Sequence, residues 1–315
     1  MTMFWPILPL IALALDFILK DPPGWPHPVR LLGCVLQRLE PRVRFLPMPQ
    51  QIVGGMCVVL MAGCTWIMVT ALISLPAVGW FLSLYFSYAG LALGGLLQEG
   101  GRVAALLRSG EIEQARNALA GLVSRDVTNS GENDLRRSLA ETVSENLNDA
   151  FVAPFFYLLL LGPAALWVYK AVSTMDSMWG YSTKQWKNLG WAAAKTDDLL
   201  AFVPARLSAL FLLLCAKGMR FSHMPTWKEI MRHAAKSESP NAGWPMAAAA
   251  LLLHGGMGGP ATYFGCLKLK PRIGPHDTFW DDDKIVRLLR LTRNTGICFA
   301  LAGFVFCLVL NALFT

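Results

Sequence analysis

Three uncharged apolar runs constrain this chain more than any other feature. Residues 52–73 ("IVGGMCVVLMAGCTWIMVTALI"), 78–97 and 296–314 contain no Asp, Glu, Lys or Arg. Each has the length that crosses the hydrocarbon core of a bilayer as a helix, about 17–25 residues. A chain carrying three of them reads as an integral membrane protein. The composition agrees, with 54% hydrophobic and only 16% charged residues, whereas soluble domains average about 25% charged. Lys and Arg outnumber Asp and Glu by 28 to 21. Most of the basic residues fall in the connecting loops, where they orient a membrane protein, so the surplus does not imply nucleic acid.

The remaining apolar stretches are interrupted. Residues 3–19 contain Asp16, and an ionisable group at that depth is functional by default. Residues 151–172 and 199–216 are broken by Pro154, Pro163 and Pro204, so they either span or form broken, re-entrant helices beside a polar cavity. Residues 245–256 are too short to cross and read as re-entrant or as a buried packing helix. The expectation is an all-α, polytopic protein with about five transmembrane helices, plus amphipathic and re-entrant helices at the cytoplasmic face, in one domain over 1–315. The basic segments 20–50, 98–150, 217–240 and 268–293 are expected in the cytoplasm, while charge leaves the side of 173–198 open. Segment 98–150 is expected to form two amphipathic helices broken around "DVTNSGEN". The seven cysteines form no C-x-x-C pair, which favours free thiols over disulfides or zinc. The N-terminus lacks a basic n-region, so an uncleaved first membrane segment is expected.

Polar residues cluster against these apolar segments in five places. In "ETVSENLNDAF", Glu141, Glu145 and Asp149 fall at i, i+4 and i+8, one acidic stripe on a helix. Like charges at that spacing repel, so the stripe calls for a cationic partner: a metal ion, an Arg or Lys, or a substrate amine. Asn146 and Asn148 are interleaved with it. "DPPGWPHPVR" holds Asp21, His27 and Arg30 in a stiff, proline-rich loop, as a rigid turn or as an anion clamp. In "YKAVSTMDSMWGYSTKQW", Lys170 shares a helix face with Ser173, Thr174 and Ser177. It is either a snorkelling lysine or, with Lys184, a phosphate ligand, and Asp176 is turned aside. Asp197 and Asp198 precede a helix that one of them could cap, and Arg206 lies in an apolar run where it demands a partner. "SESPNAGWPM" and "HGGMGGPATYFG" are turn-rich, with Ser239 and Asn241 in the first and four glycines in the second. No Walker loop is present.

Taken in order, these segments resemble the adenosylcobinamide-phosphate synthases of cobalamin biosynthesis. The matching stretches are "LDFILKDPPGWPHPVRLLG", "SRDV" with "ETVSENLNDAFVAPFFY", "YKAVSTMDSMWGY", "LGWAAAKTDDLLAFVPARLSAL", "SPNAGWPMAAAA" and "GGPATYFG". The family usually has Glu after "GWP", where this chain has Met246, and Gly after the stripe's Asp, where it has Ala150. The resemblance implies a multi-pass enzyme of the inner membrane that uses ATP and Mg²⁺ to join adenosylcobyric acid to aminopropanol phosphate. It implies catalytic roles for Glu141, Glu145, Asp149, Lys170 and Asp176, with Glu141, Glu145 and Asp149 as magnesium ligands. Substrate and phosphate binding is expected at Asp21, His27, Arg30, Asn146, Lys184, Asp197, Asp198, Arg206, Ser239 and Asn241, all around one cytoplasmic-face cavity. Its partners would be the corrinoid and amine substrates, the lipid bilayer, and either other corrinoid-pathway enzymes or a second copy. Two alternatives compete: a transporter with Asp16, Lys170 and Arg206 along a polar path, and a non-enzymatic signalling relative. The absence of repeat symmetry weighs against the transporter.

Overall fold

The computed structural model describes residues 7–314 except 21, 23, 25, 26, 182, 184, 222, 264, 276 and 277. The helices in chain order are α1 (Leu8–Leu19), α2 (Pro28–Arg44), α3 (Gln50–Ile73), α4 (Gly79–Ala89), α5 (Leu93–Arg108), α6 (Ile112–Ala120) and α7 (Glu132–Asn146). A π-helical turn, Leu147–Val152, leads into α8 (Ala153–Leu161), α9 (Pro163–Trp179), α10 (Trp191–Leu200), α11 (Phe202–Gly218), α12 (Trp227–Ala234) and α13 (Gly243–Leu253). Strands β1 (Met257–Tyr263) and β2 (Cys266–Ile273) follow, and α14 (Asp282–Phe314) closes the chain.

Among the described residues, three segments are long and apolar enough to cross a membrane: Gln50–Ile73, Gly79–Arg108 and Asp282–Leu313. The bent pair Trp191–Leu200 and Phe202–Gly218, angled by 44°, would make a fourth. By length and composition that makes three or four candidate spans, against the expected five or so. Helix α1 has only 12 residues, and the 151–172 stretch is cut at Gly162, whose φ of 82° breaks the helix just ahead of Pro163. The apolar side chains of α3 and α14 explain their membrane character. Only 28% and 17% of their spanning windows are buried inside the protein. Val59, Ile67, Val305 and Val309 lie bare on their flanks, as side chains facing lipid do.

The chain divides into two compact units. The first comprises residues 1–92, 153–201 and 300–315. Helix α9 is its core: Trp167, Tyr169 and Trp179 are fully buried, and the Trp167 indole N–H donates to the Phe86 carbonyl at 2.8 Å. Helix α3 packs on α9 and α10. At Gly54 a Cβ would lie 2.0 Å from the Leu189 carbonyl oxygen, so only glycine permits this approach.

The second unit comprises residues 93–152 and 202–299. Helix α13 is its centre, with Ala247, Ala248, Ala249 and Ala250 wholly buried and α11, α12, α7 and β2 packed around it. This bears out the packing-helix reading of 245–256. Segment 98–150 holds three helices rather than the expected two: the end of α5, then α6 and α7, which flank a break at 121–131 containing most of "DVTNSGEN". The all-α expectation is corrected by the β1–β2 hairpin, which pairs antiparallel from Met257↔Ile273 to Tyr263↔Cys266 with an irregularity between Met257 and Gly259. Gly258 and Gly259 there have φ of +81° and +91°, a backbone that glycine adopts without strain.

Candidate active site

Helix α7 turns Leu135, Leu139 and Val143 into the core of the second unit, and Glu141 goes in with them, its side chain 2% exposed. Burying a carboxylate demands charge and hydrogen bonds in return, and both are supplied locally. The Arg125 guanidinium forms an ion pair with it, and the backbone N–H of Gly258 donates to its other oxygen at 2.6 Å. Arg125 also donates to the Ser138 hydroxyl at 3.2 Å. Glu141 thus ties α7 to the loop before it and to the hairpin bulge.

One turn on, the half-buried Glu145 is pushed up to about 7, first by burial and then by the charge of Asp149. Lys270 pulls the other way. Arg125, Glu141, Glu145, Ser239, Met246 and Lys270 all line one cavity of about 160 Å³. The stripe is not one α-helical face, because the π-helical turn begins before Asp149. Pro154, which has no N–H for the carbonyl one turn back, follows closely. Within that turn the Asn148 amide donates to the Asp149 carboxylate at 2.7 Å and accepts from the Ser208 hydroxyl at 3.2 Å. Asn146 donates to the Thr142 carbonyl and hydroxyl, both at 3.0 Å, which turns its amide back along the helix. Among the described residues, no three His, Cys, Asp or Glu side chains gather as a metal-holding group.

Arg206 finds its partner in the same unit. It donates to the Asn241 side-chain oxygen at 2.8 Å and to the Phe202 carbonyl at 2.8 Å. Its guanidinium lies over the rings of Phe202 and Trp244. The Ser239 hydroxyl accepts from the Asn241 and Ala242 backbone N–H groups, both at 3.2 Å. Arg206 therefore braces the turn that brings Ser239 to the Glu145 cavity.

In the first unit, His27 caps α2, accepting from the Val29 N–H at 3.3 Å. Together with Arg30, Lys170, Tyr85 and Tyr88 it lines a second cavity of about 280 Å³. The Thr174 hydroxyl bonds back to the Lys170 carbonyl at 2.6 Å, the local bonding expected of such hydroxyls. Asp176 stands close enough to Asp198 to feel its charge, and burial first, with that charge second, pushes it up to about 6. Asp198 pairs with Lys195 at 3.5 Å. Asp197 and Asp198 sit in the last turn of α10 rather than capping α11, where the helix dipole disfavours acids. Asp21 and Lys184 lie outside the described residues.

The profile of the CobD/Cbib protein family matches residues 9–292. This chain belongs to that family. A cobalamin biosynthesis protein CobD of Pelobacter propionicus is 37% identical over 300 residues, covering 94% of this chain and 93% of its own. A CobD of Klebsiella pneumoniae subsp. pneumoniae is 35% identical over 293 residues, with 89% and 91% covered. A cobalamin biosynthesis protein CbiB of Salmonella arizonae is 34% identical over 289 residues, again with 89% and 91% covered. No solved structure matches the chain.

In this CobD/Cbib protein, Met246 lines the Glu145 cavity, so the position where the sequence resemblance leads one to expect Glu faces the acidic site. Sequence reasoning missed Arg125 and Lys270 as members of that site. A signal was present for each. Arg125 lies in the quoted "SRDV", and "CLKLKPRI" alternates Leu and Lys with the period of a strand, which sends Lys268 and Lys270 to one face.

Proposed function

We propose that this protein acts in cobalamin biosynthesis, as an ATP-dependent amide ligase of the inner membrane. It would join the propionate carboxylate of adenosylcobyric acid to the amine of aminopropanol phosphate, giving adenosylcobinamide phosphate. The observation that carries the reading is the cavity where Arg125 and Lys270 meet Glu141 and Glu145, in a chain of the CobD/Cbib family.

A carboxylate does not condense with an amine in water until it is activated, most simply by phosphoryl transfer from ATP to form an acyl phosphate. The amine then attacks the carbonyl and phosphate leaves. Such a transfer needs positive charge held around the moving phosphoryl oxygens, and Lys270 and Arg125 are the cations of this cavity. Magnesium, when bound, would neutralise phosphate charge there. It takes one or two carboxylates, with phosphate and water completing its shell. Glu145 with Asp149 fits that sparse donor set, because burial and mutual repulsion leave Glu145 in need of a cation, whereas Glu141 is already held by Arg125 and Gly258. The test is direct: purified protein in detergent is given adenosylcobyric acid, aminopropanol phosphate, ATP and Mg²⁺. Product at the amide's mass, absent when ATP is withheld, supports the ligase. Unchanged substrates would remove it.

A further inference from the structure

The cavity of the first unit is chemically distinct from the acidic one. Its described lining presents His27, Arg30 and Lys170 and no carboxylate. His27 and Arg30 sit at the N-terminal end of α2, where the helix dipole adds positive potential. Lys170 comes from α9, a different element. The remaining walls are apolar or aromatic: Tyr85 and Tyr88 and the 89–92 segment. Two basic side chains and an imidazole around one space suit an anion, and the apolar wall suits a short carbon chain attached to it.

Size then selects among the anions of the proposed reaction. Drug-sized ligands occupy cavities of about 300–1,000 Å³. At about 280 Å³ this cavity lies below that range. A corrinoid is far too large for it, whereas a three-carbon phosphate monoester fits. We infer that this cavity binds the phosphate of the small amine substrate, with Arg30 and Lys170 holding the phosphate and Tyr85 beside its carbon chain. The inference rests on the ligase reading for the identity of the amine, but not for the chemistry of the site.

The experiment uses the full chain in detergent micelles. Binding of aminopropanol phosphate and of unphosphorylated aminopropanol is measured by calorimetry, and KM is measured for each substrate of the coupling reaction. Wild-type protein is expected to prefer the phosphorylated amine. Arg30→Gln and Lys170→Gln should each weaken it by about ten-fold or more, the loss of one charge-assisted hydrogen bond, leaving the KM for ATP unchanged. Wild-type affinity in both variants would overturn the assignment, and so would a rise in the KM for ATP instead. Arg30 is exposed, so its variant decides the matter if the Lys170 variant fails to fold. The two readings fail separately. Arg30-dependent binding of the phosphate ester without coupling would spare the cavity and sink the ligase, and coupling with unaltered KM in both variants would do the reverse.

Discussion

Glu141 accepts the backbone N–H of Gly258 at 2.6 Å, joining residues 117 positions apart in sequence. Its other oxygen meets Arg125, itself only 10% exposed. A carboxylate so engaged holds a bulge and a buried guanidinium in place, and that makes its loss a folding event. Glu141→Ala leaves Arg125 buried without its counter-charge, which costs about 3–5 kcal/mol. Thermal unfolding in detergent should show the drop in midpoint, and an unshifted midpoint would mean that the ion pair contributes nothing.

Arg206 should prove irreplaceable by lysine. Its Nη1 donates to both Asn241 and the Phe202 carbonyl while the planar guanidinium lies on two rings, and an ammonium has no plane with which to stack. Arg206→Lys is expected to cost about 1–2 kcal/mol in stability. It should also lower kcat more than it changes any KM, because the turn that presents Ser239 loosens. Equal kcat in variant and wild type would show that the turn is held without it.

The membrane character and the polar clusters were legible because each depends on residues close in sequence. The 52–73 run, the break near 126–133 and the packing helix at 245–256 all follow from local apolar length and turn chemistry. What was not legible depends on distant pairing. Glu141 looked like one of three equivalent carboxylates, because its neutralising Arg125 and the Gly258 N–H reach it only through the fold. The stripe looked continuous because an α-helical period was extended across Asp149, where the backbone widens into a π turn. The hairpin was hidden by its glycines and prolines, which signal turns more strongly than its alternating Leu and Lys signal a strand.

Asp176 makes stability depend on pH. Its folded value is about 6, above the ordinary 3.8, through burial and the nearby Asp198. Between those two values the unfolded chain has lost this proton while the folded chain keeps it. The folded state binds more protons, so stability falls as pH rises through that window. Asp176→Asn, which stays neutral at every pH, should flatten this part of the profile and raise the midpoint above pH 6. A wild-type slope retained in the variant would assign the dependence to another group.

Glu145 offers the sharpest separation of folding from chemistry. Its charge is disfavoured by burial and by Asp149 and Glu141, so Glu145→Gln should leave the fold as stable as before, or slightly more so. If Glu145 and Asp149 hold magnesium, a neutral amide oxygen is the poorer ligand for a hard divalent ion. The Mg²⁺ concentration for half-maximal turnover should then rise by about ten-fold or more, with the unfolding midpoint unchanged. Glu141→Gln should do the opposite, lowering the midpoint while any folded fraction keeps the wild-type Mg²⁺ requirement. A titration of coupling activity against Mg²⁺ for both variants, read beside their melting curves, distinguishes the two carboxylates. Wild-type Mg²⁺ dependence in Glu145→Gln would end the metal role and leave Lys270 as the cation that this carboxylate serves.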